Sequence, residues 1–206
     1  IFTCRPHVDQ VIVVDDGSKD ETGERASEAG ATVLRHGINR GQGAALKTGT
    51  IAALRLGAQI IVHIDADGQH DPAFLSALFE PIRCGTHDIV FGSRFLGIPA
   101  VGMPRSRWVV LKVGRFFNTY ILGIPSHVTD PQAGLRAMNA HAARQLNFSQ
   151  DGYAHCSEIL RLATRNLRWK EIPVAVRYTD DSLEKGQKAT DAIHIVWELF
   201  IGSLRR

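Results

Sequence analysis

Short β-branched runs recur between stretches of helical periodicity, and this alternation most limits the folds open to the chain. Val11-Ile12-Val13-Val14 precedes a helical pattern over residues 21–29; residues 31–34 precede another over 44–56; and 59–64 lead into a helix over 72–83. That rhythm predicts βαβ units, hence an α/β fold with a mainly parallel sheet flanked by helices. Asp71 is a good N-cap with Pro72 at the first helical position, and 88–91 supply another strand. Beyond Gly92 come a Gly/Pro-rich loop over 97–104, a helix over about 105–122 and a second loop through Asp130-Pro131-Gln132-Ala133-Gly134. Loops of this length inside a compact domain are usually functional. Helices over 140–146 and 154–166, a strand over 171–178 and a terminal helix over about 189–204 follow. No repeat, low-complexity tract or linker interrupts the pattern, so residues 1–206 read as one domain.

With 44% hydrophobic and 22% charged residues, the chain has the composition of a globular domain able to bury a core. A net charge of +3 is too mild for a nucleic-acid binder and better suits an anionic small molecule or lipid head group. Cys4, Cys84 and Cys156 are odd in number and lack zinc-ligand spacing, which predicts free thiols in a reducing compartment, the cytosol. No run of eighteen apolar residues suggests a membrane span, and no signal peptide is visible. The first residue, Ile1, leads to the expectation of a fragment or processed chain.

Chemistry enters with the acidic residues. Asp65-Ala66-Asp67 directly follows an apolar strand, so both carboxylates emerge where a parallel strand ends, and their period-two spacing aims them to one side. Two hard oxygen ligands meeting a diphosphate suit Mg²⁺ or Mn²⁺, and Gln69 can add a neutral oxygen. By itself Asp-x-Asp also fits a solvated turn capping the helix after Pro72. However, Asp15-Asp16-Gly17-Ser18 closes a second hydrophobic strand, and acidic ends in successive βαβ units should meet on the sheet's carboxyl edge. One can hold nucleoside groups while the other holds metal.

Taken together, Val13 to Thr22, Asn39-Arg40-Gly41-Gln42-Gly43, Asp65 to His70, Gly92-Ser93-Arg94 and Asp130 to Arg136 occur in the order and approximate spacing of family 2 glycosyltransferases of the GT-A fold. The chain is most similar to the dolichol-phosphate mannosyltransferase-like and polyprenyl-phosphate branch. The resemblance implies inverting transfer from GDP-mannose or a UDP-sugar, assisted by a divalent metal, to a polyprenyl or dolichyl phosphate. It places Asp15, Asp16 and Gly17 at the nucleoside, Asp65, Asp67 and Gln69 at metal and diphosphate, and Arg94 at the acceptor phosphate or donor diphosphate, where a guanidinium also makes chemical sense. Members of the family begin with a further strand ahead of the one at 11–14, so the expectation is a sheet lacking its first strand.

Gly41 and Gly43 would let backbone approach a ligand or a neighbouring strand. Glu158, with Tyr153 and His155, is the candidate acid near the acceptor, although a phosphate acceptor needs no general base. Arg105, Lys112 and Arg115 fall broadly on one face of their helix among Trp108, Val109, Leu111, Phe116 and Phe117. Such a face could rest on anionic lipid, with Arg105 near the acceptor phosphate, or simply be a solvated stripe. The terminal helix, polar at Asp191, His194 and Glu198, should pack on another surface, and the 177–188 segment could close over the diphosphate or serve as a plain connection. Competing readings are a transferase acting on a hydroxyl acceptor, an Asp-x-Asp phosphatase, disfavoured by Gly68-Gln69-His70, and a non-catalytic lipid-carrier or partner-binding module.

Overall fold

The computed structural model describes residues 1–97, 105–152 and 154–178, without the side chains of 105–107, 109 and 110. The expectations for residues 98–104, for Tyr153, for the loop beyond Tyr178 and for the terminal helix lie outside the described residues. Strands β1 (Ile12–Asp15), β2 (Thr32–Arg35), β3 (Ile60–His63), β4 (Ile89–Ser93), β5 (Arg136–Asn139) and β6 (Trp169–Pro173) alternate with helices α1 (Thr22–Glu28), α2 (Gln42–Arg55), α3 (Leu75–Arg83), α4 (Arg105–Tyr120), α5 (Ala140–Gln145) and α6 (His155–Asn166). The predicted βαβ rhythm is present, with most boundaries moved by one or two residues. The predicted strand at 171–178 is shifted: β6 starts at Trp169 and ends at Pro173, and beyond it Val176 makes an isolated antiparallel bridge with His70.

β1 and β2 form a parallel pair, and the remaining strands form a sheet ordered β3-β5-β4-β6. β4 and β6 are parallel, whereas β5 runs antiparallel to both β3 and β4, the one departure from a parallel sheet. The sequence pattern assigns no element to 136–139, because Arg136-Ala137-Met138-Asn139 has neither β-branched residues nor a clean alternation. It is nevertheless a central strand: Ala137 and Met138 are at most 1% exposed, and burial on both faces outweighs propensity.

One core layer lies between the sheet and helices α2, α5 and α6, around Ile61, Phe91, Met138, Ile159 and Leu160. The other packs Leu75, Leu78 and Phe79 of α3 against Val90, Ala137 and Ile172. The β1–β2 pair and the larger sheet share no ladder among the described residues, but α2 packs against both β1 and β3. The N-terminus of α2 therefore faces both acidic strand ends.

Candidate active site

Four segments converge at the carboxyl edge: the turns after β1 and β3, the N-terminus of α2, and the 129–136 loop leading into β5. Asp16 lies in the first turn and accepts hydrogen bonds from the backbone N–H groups of Arg40 (3.0 Å) and Gly41 (2.6 Å), with His36 Nδ1 at 2.6 Å. Burial would raise its carboxyl, but these bonds hold it below the ordinary value of 3.8. Gly17 has φ +76°, and a Cβ there would lie 2.8 Å from the Asn39 backbone nitrogen, so only glycine lets this turn close on the α2 loop. The Asp15 side chain is fully enclosed: one oxygen accepts from Ser18 N–H at 2.8 Å and the other pairs with Arg35 Nε at 3.3 Å. These contacts, the Ser18 hydrogen bond foremost, lower its carboxyl. Asp15 thus helps to shape the turn that presents Asp16 and Gly17.

After β3, Asp65 Oδ1 accepts from the side-chain amide of Gln42, the first residue of α2, at 2.6 Å. Its other oxygen lies over Gly134, where a Cβ would approach within 2.5 Å, so glycine makes the space this carboxylate occupies. Asp67 is exposed and accepts from Gln69 N–H at 3.0 Å in a tight turn, and the Gln69 carbonyl accepts from Arg177 N–H. The three oxygen-bearing residues expected to hold metal thus follow β3 in one turn. Among the described residues, no three His, Cys, Asp or Glu side chains form a closed cage. Two carboxylates and an amide with the remaining positions open are a fitting set for a hard divalent ion that completes its shell with substrate phosphate oxygens.

Arg94 leaves the end of β4 at the carboxyl edge. Its guanidinium, 7% exposed, donates from Nε to Asp130 Oδ2 (2.6 Å), from NH1 to Tyr178 OH (2.7 Å) and from NH2 to the Gln132 carbonyl (3.2 Å). Burial alone would favour its neutral form, but Asp130 and Tyr178 raise its pKa further still. Arg94 thus braces the 130–134 loop. Glu171 of β6 supports the same loop by accepting the Thr129 and Asp130 N–H groups at 2.8 and 2.9 Å.

Glu158 is likewise buried and accepts from Ser149 N–H, Ser149 Oγ and Gln150 N–H, so it anchors the loop ahead of α6. Gly41 and Gly43 make room for the same loop rather than for a ligand: a Cβ at either would collide with the carbonyl of Asp151 or Gln150.

The sequence reading missed a buried polar chain under the site. Arg136 Nε–H donates to His63 Nδ1 at 3.0 Å, which leaves His63 Nε2–H to donate to Thr50 Oγ at 2.8 Å, and the Thr50 hydroxyl donates to the Leu46 carbonyl at 2.7 Å. Burial, and secondarily the charge of Arg136, drive the pKa of His63 well below 6.5, consistent with the neutral ring this chain requires. His70, also unassigned, is buried, with its pKa lowered chiefly by burial, among Asp65, Asp67, Arg94 and Asp130. The one available signal was the presence of polar residues at inward-facing strand positions.

On the outer side of α4, Trp108, Lys112, Val113, Phe116 and Tyr120 are exposed, while Leu111 and Asn118 face inward. Lys112 Nζ lies 5.2 Å from the Trp108 ring centroid, and the Phe116 and Tyr120 rings are 4.5 Å apart. Arg115 does not join the expected basic face, because it donates to the Ser126 carbonyl at 2.9 Å. The side chain of Arg105 lies outside the described residues. On the inner side, a Cβ at Gly114 would lie 3.0 Å from the Gln132 amide, so α4 rests on the 130–134 loop. No described helix is long and apolar enough to cross a membrane.

Acidic strand ends closed over by a loop at the carboxyl edge place this chain among α/β proteins that bind ligands there. It belongs to glycosyl transferase family 2, whose family model matches residues 5–145. It is 33% identical over 214 residues to the UDP-N-acetylglucosamine–dolichyl-phosphate N-acetylglucosaminyltransferase of Methanococcus voltae, covering 94% of this chain and 84% of that protein. It is 34% identical over 174 residues to the undecaprenyl-phosphate mannosyltransferase of Micrococcus luteus, covering 80% of this chain and 70% of that one. Glucosyl-3-phosphoglycerate synthase from Mycobacterium tuberculosis, solved with Mn²⁺, UDP and glucosyl-3-phosphoglycerate, shares the fold with a TM-score of 0.75 at 22% identity, over 98% of this chain and 71% of that one.

Proposed function

We propose that this glycosyltransferase passes a sugar from a nucleotide-sugar, GDP-mannose or a UDP-hexose, to the phosphate of a polyprenyl or dolichyl lipid, working as a peripheral protein on the cytoplasmic face of a membrane. The observation that carries the reading is the continuity of one loop: Gly134 cradles Asp65, and two residues earlier Gln132 meets the inner side of α4, whose outer side is aromatic and cationic. A lipid-facing helix and an acidic strand end are thus mechanically joined. The names of the relatives from Methanococcus voltae and Micrococcus luteus, both polyprenyl-type phosphate transferases, support the acceptor class.

Asp65, Asp67 and Gln69 would hold Mg²⁺ or Mn²⁺, in keeping with the Mn²⁺ and UDP of the structural neighbour. When bound, such an ion neutralises the leaving nucleoside diphosphate. The turn carrying Asp16 and Gly17 lines the nucleoside side, with Asp15 fixing it from behind. An acceptor phosphate oxygen attacks the anomeric carbon as the bond to the donor diphosphate breaks, which inverts the centre. A phosphate monoester, with a second pKa of about 6, is already a dianion near neutral pH and needs no base. This agrees with the burial of Glu158, the carboxylate a hydroxyl acceptor would have called on. Arg105, at the first position of α4, is the cation assigned to the acceptor phosphate.

The test is transfer to a short polyprenyl phosphate and to a free sugar alcohol, each with Mn²⁺ and with a chelator. The proposal expects metal-dependent transfer to the phosphate. A better rate on the alcohol would replace it with the hydroxyl-transfer reading.

A further inference from the structure

Beneath the site is a thiol in an unusual setting. His155, 1% exposed, has Nδ1 2.8 Å from the Gly152 carbonyl, so Nδ1 carries the proton and Nε2 presents a lone pair. Nε2 lies 3.3 Å from Cys156 Sγ, within reach of the thiol proton. Independently, the Arg136 guanidinium is 1% exposed and, beyond its Nε bond to His63, both terminal nitrogens are buried with no hydrogen-bond partner among the described residues. His63 is held neutral by the chain to Thr50, so it offers this guanidinium no compensating charge. A buried cation with no paired anion among the described residues is costly, and the sulfur of Cys156 lies within its field.

We propose that Cys156 is a redox-sensitive thiolate, paired with protonated His155 and serving as counter-charge to Arg136, which peroxides oxidise to a sulfenic acid. The sulfur attacks one oxygen of hydrogen peroxide, and the S–O bond forms as the O–O bond breaks. The departing hydroxide takes the proton held by His155 and leaves as water, so the sulfur loses two electrons and the peroxide gains them. Cys156 is partly exposed, so a small peroxide can reach it. Burial pushes the thiol up and Asp65 does the same, but His155 and Arg136 outweigh both and bring it down to about 7. Cys84 is the natural contrast: its thiol donates to Glu80 Oε1 at 3.5 Å, which raises its pKa above the ordinary 9.0 although it is the more exposed sulfur.

The test needs no sugar transfer and is independent of the proposed function. Iodoacetamide labelling of the whole protein, read by peptide mass spectrometry from pH 5 to 10, should show Cys156 alkylated about five- to tenfold faster than Cys84 at pH 7. Such a ratio is what the larger thiolate fraction, offset by its lower intrinsic nucleophilicity, allows. With stoichiometric hydrogen peroxide, a dimedone adduct should appear on Cys156 and be absent from Cys156→Ser. Arg136→Met should move the Cys156 labelling midpoint upward. Should that variant not fold, His155→Gln serves instead, since it removes the proton acceptor at the helix start. Labelling of Cys84 ahead of Cys156 at neutral pH, or a dimedone adduct unchanged in Cys156→Ser, overturns the proposal.

Discussion

The Gln42 side-chain amide donates to Asp65 Oδ1 at 2.6 Å, so the first residue of α2 fixes the carboxylate that leaves β3. A partner of this kind sets the orientation of a metal ligand without touching the metal, and its loss typically costs about 10- to 100-fold in metal affinity or activity. Gln42→Ala should therefore raise the Mn²⁺ concentration needed for half-maximal transfer by that order, with little change in unfolding. A metal titration of the rate, with urea unfolding alongside, checks both; an unchanged titration would remove Asp65 from the metal.

Asp67 is exposed and, among the described residues, supports only its own turn with Gln69, so its carboxylate is spared from the fold. Asp67→Asn keeps the turn acceptor but removes the charge. Transfer should fall by roughly two orders of magnitude, equivalent to about 3 kcal/mol of charge stabilisation. Thermal unfolding without metal should be unaltered.

The Arg94–Asp130 pair makes an opposite prediction. Both groups are buried, and removing one partner strands the other's charge, which typically costs about 3–5 kcal/mol. Asp130→Ala should be destabilised by that amount in urea, while Arg94→Met combined with Asp130→Ala should recover part of it. A single-variant loss below about 1 kcal/mol would mean that the pair does not hold the loop, and would leave the Arg94 guanidinium free for a phosphate.

Stability should also depend on acid at a point far from the site. Hydrogen bonds from the Arg168 side chain, then from its backbone and Asn139, lower the Asp88 carboxyl well below 3.8, against a smaller opposing effect of burial. The folded-state pKa is depressed, so the unfolded chain takes up the proton first. The contribution is complete above about pH 5 and is lost as pH falls through the unfolded value and on toward the folded one. Urea unfolding at pH 7, 4, 3 and 2.5 should fall less steeply for Asp88→Asn than for the unaltered protein. Parallel slopes would assign the acid sensitivity to other carboxylates.

The acidic motifs were legible because they sit at strand ends, where sequence order alone determines the edge on which they emerge. What their side chains do there was less legible. Asp15 and Asp16 are adjacent in sequence, yet one turns back to Ser18 and Arg35 and the other accepts from the backbone of the α2 loop, and only the packing of α2 decides this. Arg94 reads as a free guanidinium until Asp130, 36 residues away, arrives beside it. β5 was missed because its residues lack strand propensity and owe their conformation to two flanking strands. Arg136, in that same strand, was consequently never considered as a buried charge.

The outer side of α4 carries the last prediction. Trp108, Phe116 and Tyr120 are 49, 63 and 71% exposed, a run of aromatic surface on one helix face with Lys112 among it. In water such residues contribute little to the fold, so replacing them should not unfold the protein. On a bilayer, aromatic rings can settle at the headgroup level while a lysine adds about 1 kcal/mol toward anionic lipid. Trp108→Ser with Phe116→Ser should weaken sedimentation with anionic vesicles by about tenfold or more, since even half of their apolar area, at roughly 25 cal/mol per Å², exceeds 1.4 kcal/mol. Lys112→Ala should weaken it by about fivefold and lose that effect in high salt. Arg115→Ala should change binding less, because its guanidinium is committed to Ser126. All of these variants should turn over a short, detergent-soluble polyprenyl phosphate at nearly the unaltered rate. Normal sedimentation of the double aromatic variant would remove α4 from the membrane, and impaired turnover on the short acceptor would place this face inside the catalytic site instead.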